Sequence, residues 1–268
     1  MKTFYKNYLK KQGILGLPKK DIFLVVGVSR SGTSLLMSLL DNMGVFIGNS
    51  DDFVPSDTSN PRGYFEHAKV LGINYSILKQ ARAKKEDIWG KYDISARGPI
   101  KKFQRAIVRL KINKFLKKMH SQPEDSWAMK SHLATFPLWQ EYIPEFKLII
   151  AFKDPTTVAH SNVKLKNFSA PFSEYLSRWE KINRELIYFS YRFQSLVINY
   201  NDLLDLGSKD RVLNKLIEFV GKGNIETLRD VVDPSLNRSR SEVEKLEEIY
   251  PLLPSQKEVF RVLEKIKT

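Results

Sequence analysis

The chain has 268 residues, 44 Lys and Arg against 30 Asp and Glu for a net charge of +14, and no cysteine. Its hydrophobic content of 42% and aromatic content of 12% suit one large globular α/β domain and exclude a disordered or low-complexity chain. The cysteine count excludes disulfides and thiolate metal sites, the four histidines are scattered without metal-ligand spacing, and the longest apolar run, Ile22–Val28, is too short for a membrane span.

Residues 1–20 hold six lysines and no acid, with no apolar stretch behind them. They read as a basic N-terminal extension rather than a signal peptide, and the expected location is cytoplasmic. Ile22–Val28 is a buried strand, followed by a glycine-containing turn and a helix from about Gly32 to Met43. Residues 46–63, rich in Gly, Asn, Ser, Asp and Pro, read as loop. A helix is expected over 66–84, and another from Pro99 to His120. Trp127–Lys130 is a short strand, Pro137 opens a helix that stops before Pro144, and Phe146–Phe152 is a second buried strand. Pro155 starts a helix to about Lys166, and Pro171 a long one to Arg192. Ser195–Asn199 is the last strand, followed by helices at 209–221, 225–232 and 255–267. Strands alternating with helices in this way predict an α/β fold: a central parallel β-sheet flanked by helices on both faces. Ligands in such sheets bind at the carboxyl ends of the strands, and Arg30, Lys130, Lys153 and Tyr200 all follow strands at that end.

The turn Gly27-Val28-Ser29-Arg30-Ser31-Gly32-Thr33-Ser34 carries the most chemistry. A strand–turn–helix with two glycines aims backbone N–H groups at one point, at the positive end of a helix dipole, and so makes an anion site. The spacing Gly27-x-x-x-x-Gly32 matches a P-loop, but Thr33 stands where a nucleotide-hydrolysing loop has lysine, and the cation sits earlier, at Arg30. An ordinary turn in which Ser31 or Thr33 caps the helix is the plain alternative.

Arg30-Ser31-Gly32-Thr33-Ser34 resembles the 5′-phosphosulfate loop of sulfotransferases that use 3′-phosphoadenosine-5′-phosphosulfate (PAPS). Asn60-Pro61-Arg62-Gly63-Tyr64-Phe65-Glu66 is similar to a segment of bacterial sulfotransferases, and Lys130-Ser131-His132-Leu133 to the Lys-Thr-His-Leu of cytosolic ones. Lys153-Asp154-Pro155 with Ser161 resembles the Arg-x-Pro…Ser element for the 3′-phosphate. Tyr200-Asn201-Asp202-Leu203 and Glu218-Phe219-Val220-Gly221 fit later segments, and the order is kept over roughly residues 22–240. The resemblance implies a P-loop-like sulfotransferase architecture over residues 1–268, with 46–63 and 84–125 as acceptor-side insertions. It implies PAPS as co-substrate and no metal. By the same resemblance Arg30, Ser31, Gly32, Thr33 and Ser34 hold the 5′-phosphosulfate, Lys130 the transferring sulfuryl group, Lys153 and Ser161 the 3′-phosphate, and Tyr200 the adenine or ribose. The chain departs from the pattern in three places. Lys153 replaces an arginine, Leu35 replaces an aromatic, and the Arg-Lys-Gly-x-x-Gly segment is missing. Arg238 or Arg240 stands in the corresponding region for the 3′-phosphate.

The acceptor must lose a proton; His132 is the better base and Glu66 its rival. Imidazole is mostly neutral at pH 7, while a carboxylate at a helix start also serves as a cap. His67, His120 and His160 read as structural. The acceptor belongs to a small molecule, glycan or lipid. From Ile94 to Pro123 there are nine Lys or Arg and no acid, a face for an anionic acceptor or for peripheral contact with an anionic membrane, with no specific nucleic acid. Two apolar stripes, Ile100/Phe103/Ile107/Leu110 and Val108/Ile112/Phe115/Met119, suggest that this helix packs on the core at one end and shifts its contact further along. A P-loop kinase, with Asp154 as magnesium ligand, and a non-enzymatic nucleic-acid-binding protein are the competing readings.

Overall fold

Four strands form the sheet: β1 (Asp21–Gly27), β2 (Ser126–Lys130), β3 (Lys147–Phe152) and β4 (Ser195–Asn199). The structure, a computed structural model, describes residues 19–57, 63–80, 102–164, 170–233 and 240–268. The strands are parallel, in the order β2-β1-β3-β4. β3 pairs β4 with Leu148 opposite Ser195 and Phe152 opposite Asn199. Ile22 to Val26 and Leu148 to Phe152 are buried throughout, without polar alternation, as strands covered on both faces require.

Among the described residues eleven α-helices accompany the sheet. They are α1 (Thr33–Asn42), α2 (Ala68–Gln80), α3 (Lys102–His120), α4 (Phe136–Tyr142), α5 (Pro155–Val163) and α6 (Phe172–Arg192). α7 (Tyr200–Leu204), α8 (Lys209–Val220), α9 (Ile225–Val231), α10 (Arg240–Ile249) and α11 (Pro254–Ile266) complete the set. Proline sits in the first turn of α4, α5 and α11, where its missing N–H costs nothing. Gly221 closes α8 in the left-handed conformation (φ 85°).

The chain divides into two compact units, residues 1–24 with 45–147 and residues 25–44 with 148–268. In the first, α2 packs on α3, and Val108, Ile112, Phe115, Leu116 and Met119 are buried. Phe115 meets the rings of His67, Trp127 and Trp139 edge-on. In the second, α5 and α11 pack on α6, where Trp179, Leu186 and Leu263 are fully buried.

The elements depart from expectation in three places. α7 and α10 were not foreseen; α10 is an acidic helix whose Leu246 joins a cluster around Phe172, with Tyr250, just beyond its end, stacked on Phe172 at 4.6 Å. The first apolar stripe of α3 is not core: Ile107 and Leu110 are exposed, while Ile100 and the side chain of Phe103 lie outside the described residues. Finally, Lys118 of α3 does not simply face solvent. Its ammonium pairs with the carboxylate of Asp52 at 2.5 Å and so ties the 46–57 loop to α3. The expected continuation of α2 to residue 84, and the start at Pro99, also lie outside the described residues.

Candidate functional site

In the second unit β1 ends at Gly27 and the chain turns sharply. Arg30 adopts a left-handed φ of 71° and Gly32 one of 95°. The first is unusual for a residue with a side chain and costs about 1–2 kcal/mol. Gly32 is required twice over: its φ suits glycine, and a Cβ there would stand 2.1 Å from Tyr200 Cδ2. α1 starts at Thr33 with no side-chain cap and no acid in its first turn. The capping role considered for Ser31 or Thr33 is therefore not taken up: Gly32 is the N-cap and has no side chain to compete with an anion. Ser31 Oγ is buried with no hydrogen-bond partner among the described residues.

Three segments converge on this turn. Arg30 Nε donates to Ser161 Oγ at 3.0 Å. Asn162 Nδ2, on the same helix α5, donates to the Ser29 carbonyl at 3.3 Å. The Lys153 ammonium lies 4.7 Å from the centroid of the Tyr200 ring, the same ring that abuts Gly32. Lys153 is buried. Burial pushes its pKa down to about 8; the Asp154 carboxylate opposes this, and the Arg30 charge adds to it. The sequence treated Tyr200 as a contact for the adenine or its ribose. The structure gives it a second role, as a wedge between Gly32 and Lys153. Asp154 is engaged elsewhere: its carboxylate accepts the Thr157 N–H at 2.8 Å and caps α5. Arg238 and the side chain of Arg240 lie outside the described residues.

In the first unit β2 delivers Lys130 and the turn behind it delivers His132. Lys130 is buried and donates to the Tyr64 carbonyl. Gly63 (φ 90°) and Phe65 (φ 51°) are both left-handed, and this twisted backbone presents Glu66. Glu66 is buried, and burial raises its pKa above the ordinary carboxylate value, with the Lys130 charge pulling the other way. His132 is only partly buried. Surrounding protein nonetheless pushes its pKa down to about 3, and the Lys130 charge adds to that. Lys130 thus acts electrostatically on both candidate bases. Nearby, His67 is held neutral: burial takes its pKa to about 4, against the pull of Asp52.

Two residues here have no role in the sequence reading. Asn74 of α2 and Trp139 of α4 are fully buried. Trp139 Nε1 donates to Asn74 Oδ1 at 2.7 Å, and Asn74 Nδ2 stands 3.2 Å from His132 Nδ1. A signal for Asn74 was present: it interrupts the apolar face of Val70, Ile73, Ile77 and Leu78, and a polar group there needs a partner.

A protein-family model described as the sulfotransferase family matches residues 22–222, a span that contains every residue of both clusters. The chain belongs to the sulfotransferase family. It is an enzyme that transfers a sulfuryl group, on the α/β architecture expected. No curated protein matches this sulfotransferase. Among the described residues no group of three or more His, Asp or Glu is placed to hold a metal, and none of their helices is long and apolar enough to cross a membrane.

Proposed function

We propose that the protein takes its sulfuryl group from PAPS and passes it, by in-line displacement, to a hydroxyl or amine of an anionic small molecule, glycan or lipid in the cytoplasm. The observation that carries the donor assignment is the junction of Arg30, Ser161, Lys153 and Tyr200 beside the start of α1. Two cations, a hydroxyl and a helix start without a carboxylate suit a ligand with phosphate at both the 5′ and 3′ positions. The cradle fits: Gly32 keeps the turn open where any side chain would collide with Tyr200. In this reading Arg30 and the backbone N–H groups of Gly32 and Thr33 stabilise charge on the departing 5′-phosphate as the sulfur–oxygen bond breaks, while the Ser31 N–H holds the turn closed on the Val28 carbonyl. Lys153 and Ser161 hold the 3′-phosphate, and Tyr200 stacks or hydrogen-bonds beside it. Protein cations do the work a metal does in kinases. The kinase reading is disfavoured, because one carboxylate oxygen of Asp154 is taken up in capping α5.

Lys130 is assigned to the sulfuryl group, and the exposed lysines of α3 draw in an anionic acceptor. The deciding experiment is a thermal-shift comparison. 3′-Phosphoadenosine-5′-phosphate should raise the melting temperature well above what AMP or ATP achieves. An equal or larger shift with ATP and magnesium would favour a kinase. No shift with any nucleotide, together with salt-sensitive DNA binding, would favour the nucleic-acid reading.

A further inference from the structure

The orientation of Asn74 is fixed by its neighbour. The Trp139 indole N–H can only donate, so the atom it meets at 2.7 Å must be the Asn74 carbonyl oxygen. The Asn74 amide nitrogen therefore faces His132 Nδ1 at 3.2 Å. An amide NH₂ has no acceptor capacity, so Nδ1 must be the acceptor and carry no proton. The neutral ring then holds its proton on Nε2. To act as a base through Nε2, the ring would need its proton on Nδ1, pointing N–H against NH₂. Turning the amide over would only move the conflict to Trp139, in a pocket where both Asn74 and Trp139 are fully buried and an unmet polar group is costly.

We propose that Trp139 and Asn74 are positioning residues that lock His132 as a hydrogen-bond donor at Nε2, and that Glu66 takes the acceptor's proton. This rests on the sulfuryl-transfer reading. In the step, the acceptor oxygen bonds to sulfur while the bond from sulfur to the 5′-phosphate oxygen breaks and its electron pair leaves with the nucleotide. The hydroxyl proton passes to the Glu66 carboxylate. His132 meanwhile offers a hydrogen-bond donor at Nε2 and takes no proton. The electrostatics agree with the geometry. The Lys130 charge beside His132 opposes a second positive charge on the ring, while burial makes Glu66 a stronger proton acceptor than an ordinary carboxylate.

The lock is testable in the ligand-free protein, independently of the donor. Nitrogen-15 NMR of the histidine side chains should find His132 protonated at Nε2, bare at Nδ1, and without titration between pH 8 and 5. Asn74→Asp puts an acceptor against Nδ1; the proton should move there and the pKa should rise by about two units or more. Trp139→Phe keeps the ring but frees the amide to turn, and should give a tautomer mixture, so the idea stays testable if Asn74→Asp does not fold. A wild-type His132 protonated at Nδ1, or titrating near pH 6–7, overturns it. Turnover supplies the second readout. His132→Gln keeps a donor without a base and should stay within about tenfold of wild type, while His132→Ala loses about 10²–10³ and Glu66→Gln about 10²–10⁴. If His132→Gln is as inactive as His132→Ala while Glu66→Gln is not, histidine is the base. If no variant or wild type binds the bisphosphate nucleotide, the sulfuryl-transfer reading fails and the tautomer result stands by itself.

Discussion

Nucleotide binding should draw a proton onto Lys153. In the free protein its pKa lies at about 8 instead of 10.5. This difference corresponds to about 3 kcal/mol of charged-form destabilisation at most. A 3′-phosphate placed against the ammonium supplies the missing counter-charge and restores an ordinary lysine pKa. Phosphate is already doubly ionised above its own second pKa of roughly 6, so uptake above pH 8 reports on the lysine. Binding should therefore take up about 0.1 proton at pH 7 and about 0.9 at pH 9, and affinity should fall roughly tenfold per pH unit above 8. The assay is calorimetric titration of 3′-phosphoadenosine-5′-phosphate in buffers of different ionisation enthalpy. Lys153→Arg is the control: guanidinium stays charged throughout, so it should bind without the proton. Ligand-free wild type should also gain stability as pH rises from about 8 to 10.5, because there only the unfolded lysine keeps its proton. If wild type takes up no proton at pH 9, or if Lys153→Arg takes up as much, Lys153 does not meet the phosphate.

Other outcomes follow from the same geometry. Arg30→Ala loses the bond to Ser161 and should weaken the bisphosphate nucleotide by about 1.5–3 kcal/mol, one to two decades in Kd, by calorimetry; undiminished affinity and full turnover would contradict the loop assignment. Gly32→Ala should unfold at lower temperature and lose nucleotide binding, and removing the ring with Tyr200→Ala in the same chain should relieve the clash but leave the left-handed strain, so that only part of the loss returns; a harmless Gly32→Ala would show that the loop has room. His67 and His132 stay neutral when folded, at pKa about 4 and about 3, whereas the unfolded chain protonates them near the ordinary ~6.5. Stability should therefore drop as pH falls from 6.5 towards 4, and a His67→Gln variant should show a shallower drop in denaturant melts. Reversing the exposed Lys114 and Lys117 to Glu should raise the acceptor KM and flatten its salt dependence while donor affinity holds. Lys118 is left out of that set because its pairing with Asp52 serves the structure.

The strands were legible because each is a continuous apolar run, and Ser195–Asn199 was placed to the residue. The helix starts marked by proline at 155 and 171 were legible for a local reason as well. α10 was not, since its packing depends on Phe172, far away in sequence, and its own composition is that of an acidic surface. The donor cluster could be named from motifs, but the bond joining Arg30 to Ser161 spans 131 residues and leaves no local trace. In the same way, the sequence favours His132 over Glu66 as the base, because imidazole is neutral at pH 7. The reverse order comes from Asn74 and Trp139, whose pairing spans 65 residues.

Three helices of the second unit begin just past strand ends, and the fold treats two of them, α5 and α1, differently. α5 opens with Asp154, whose carboxylate already occupies its first turn. α1 is capped by Gly32, with no side-chain cap and no acidic residue in its first turn. An intramolecular anion thus competes for one positive pole and leaves the other to whatever arrives from solution. This division steers a ligand's negative charge without any added cation. It also implies that Asp154→Ala would create a rival docking point, misdirecting phosphate rather than merely fraying a helix.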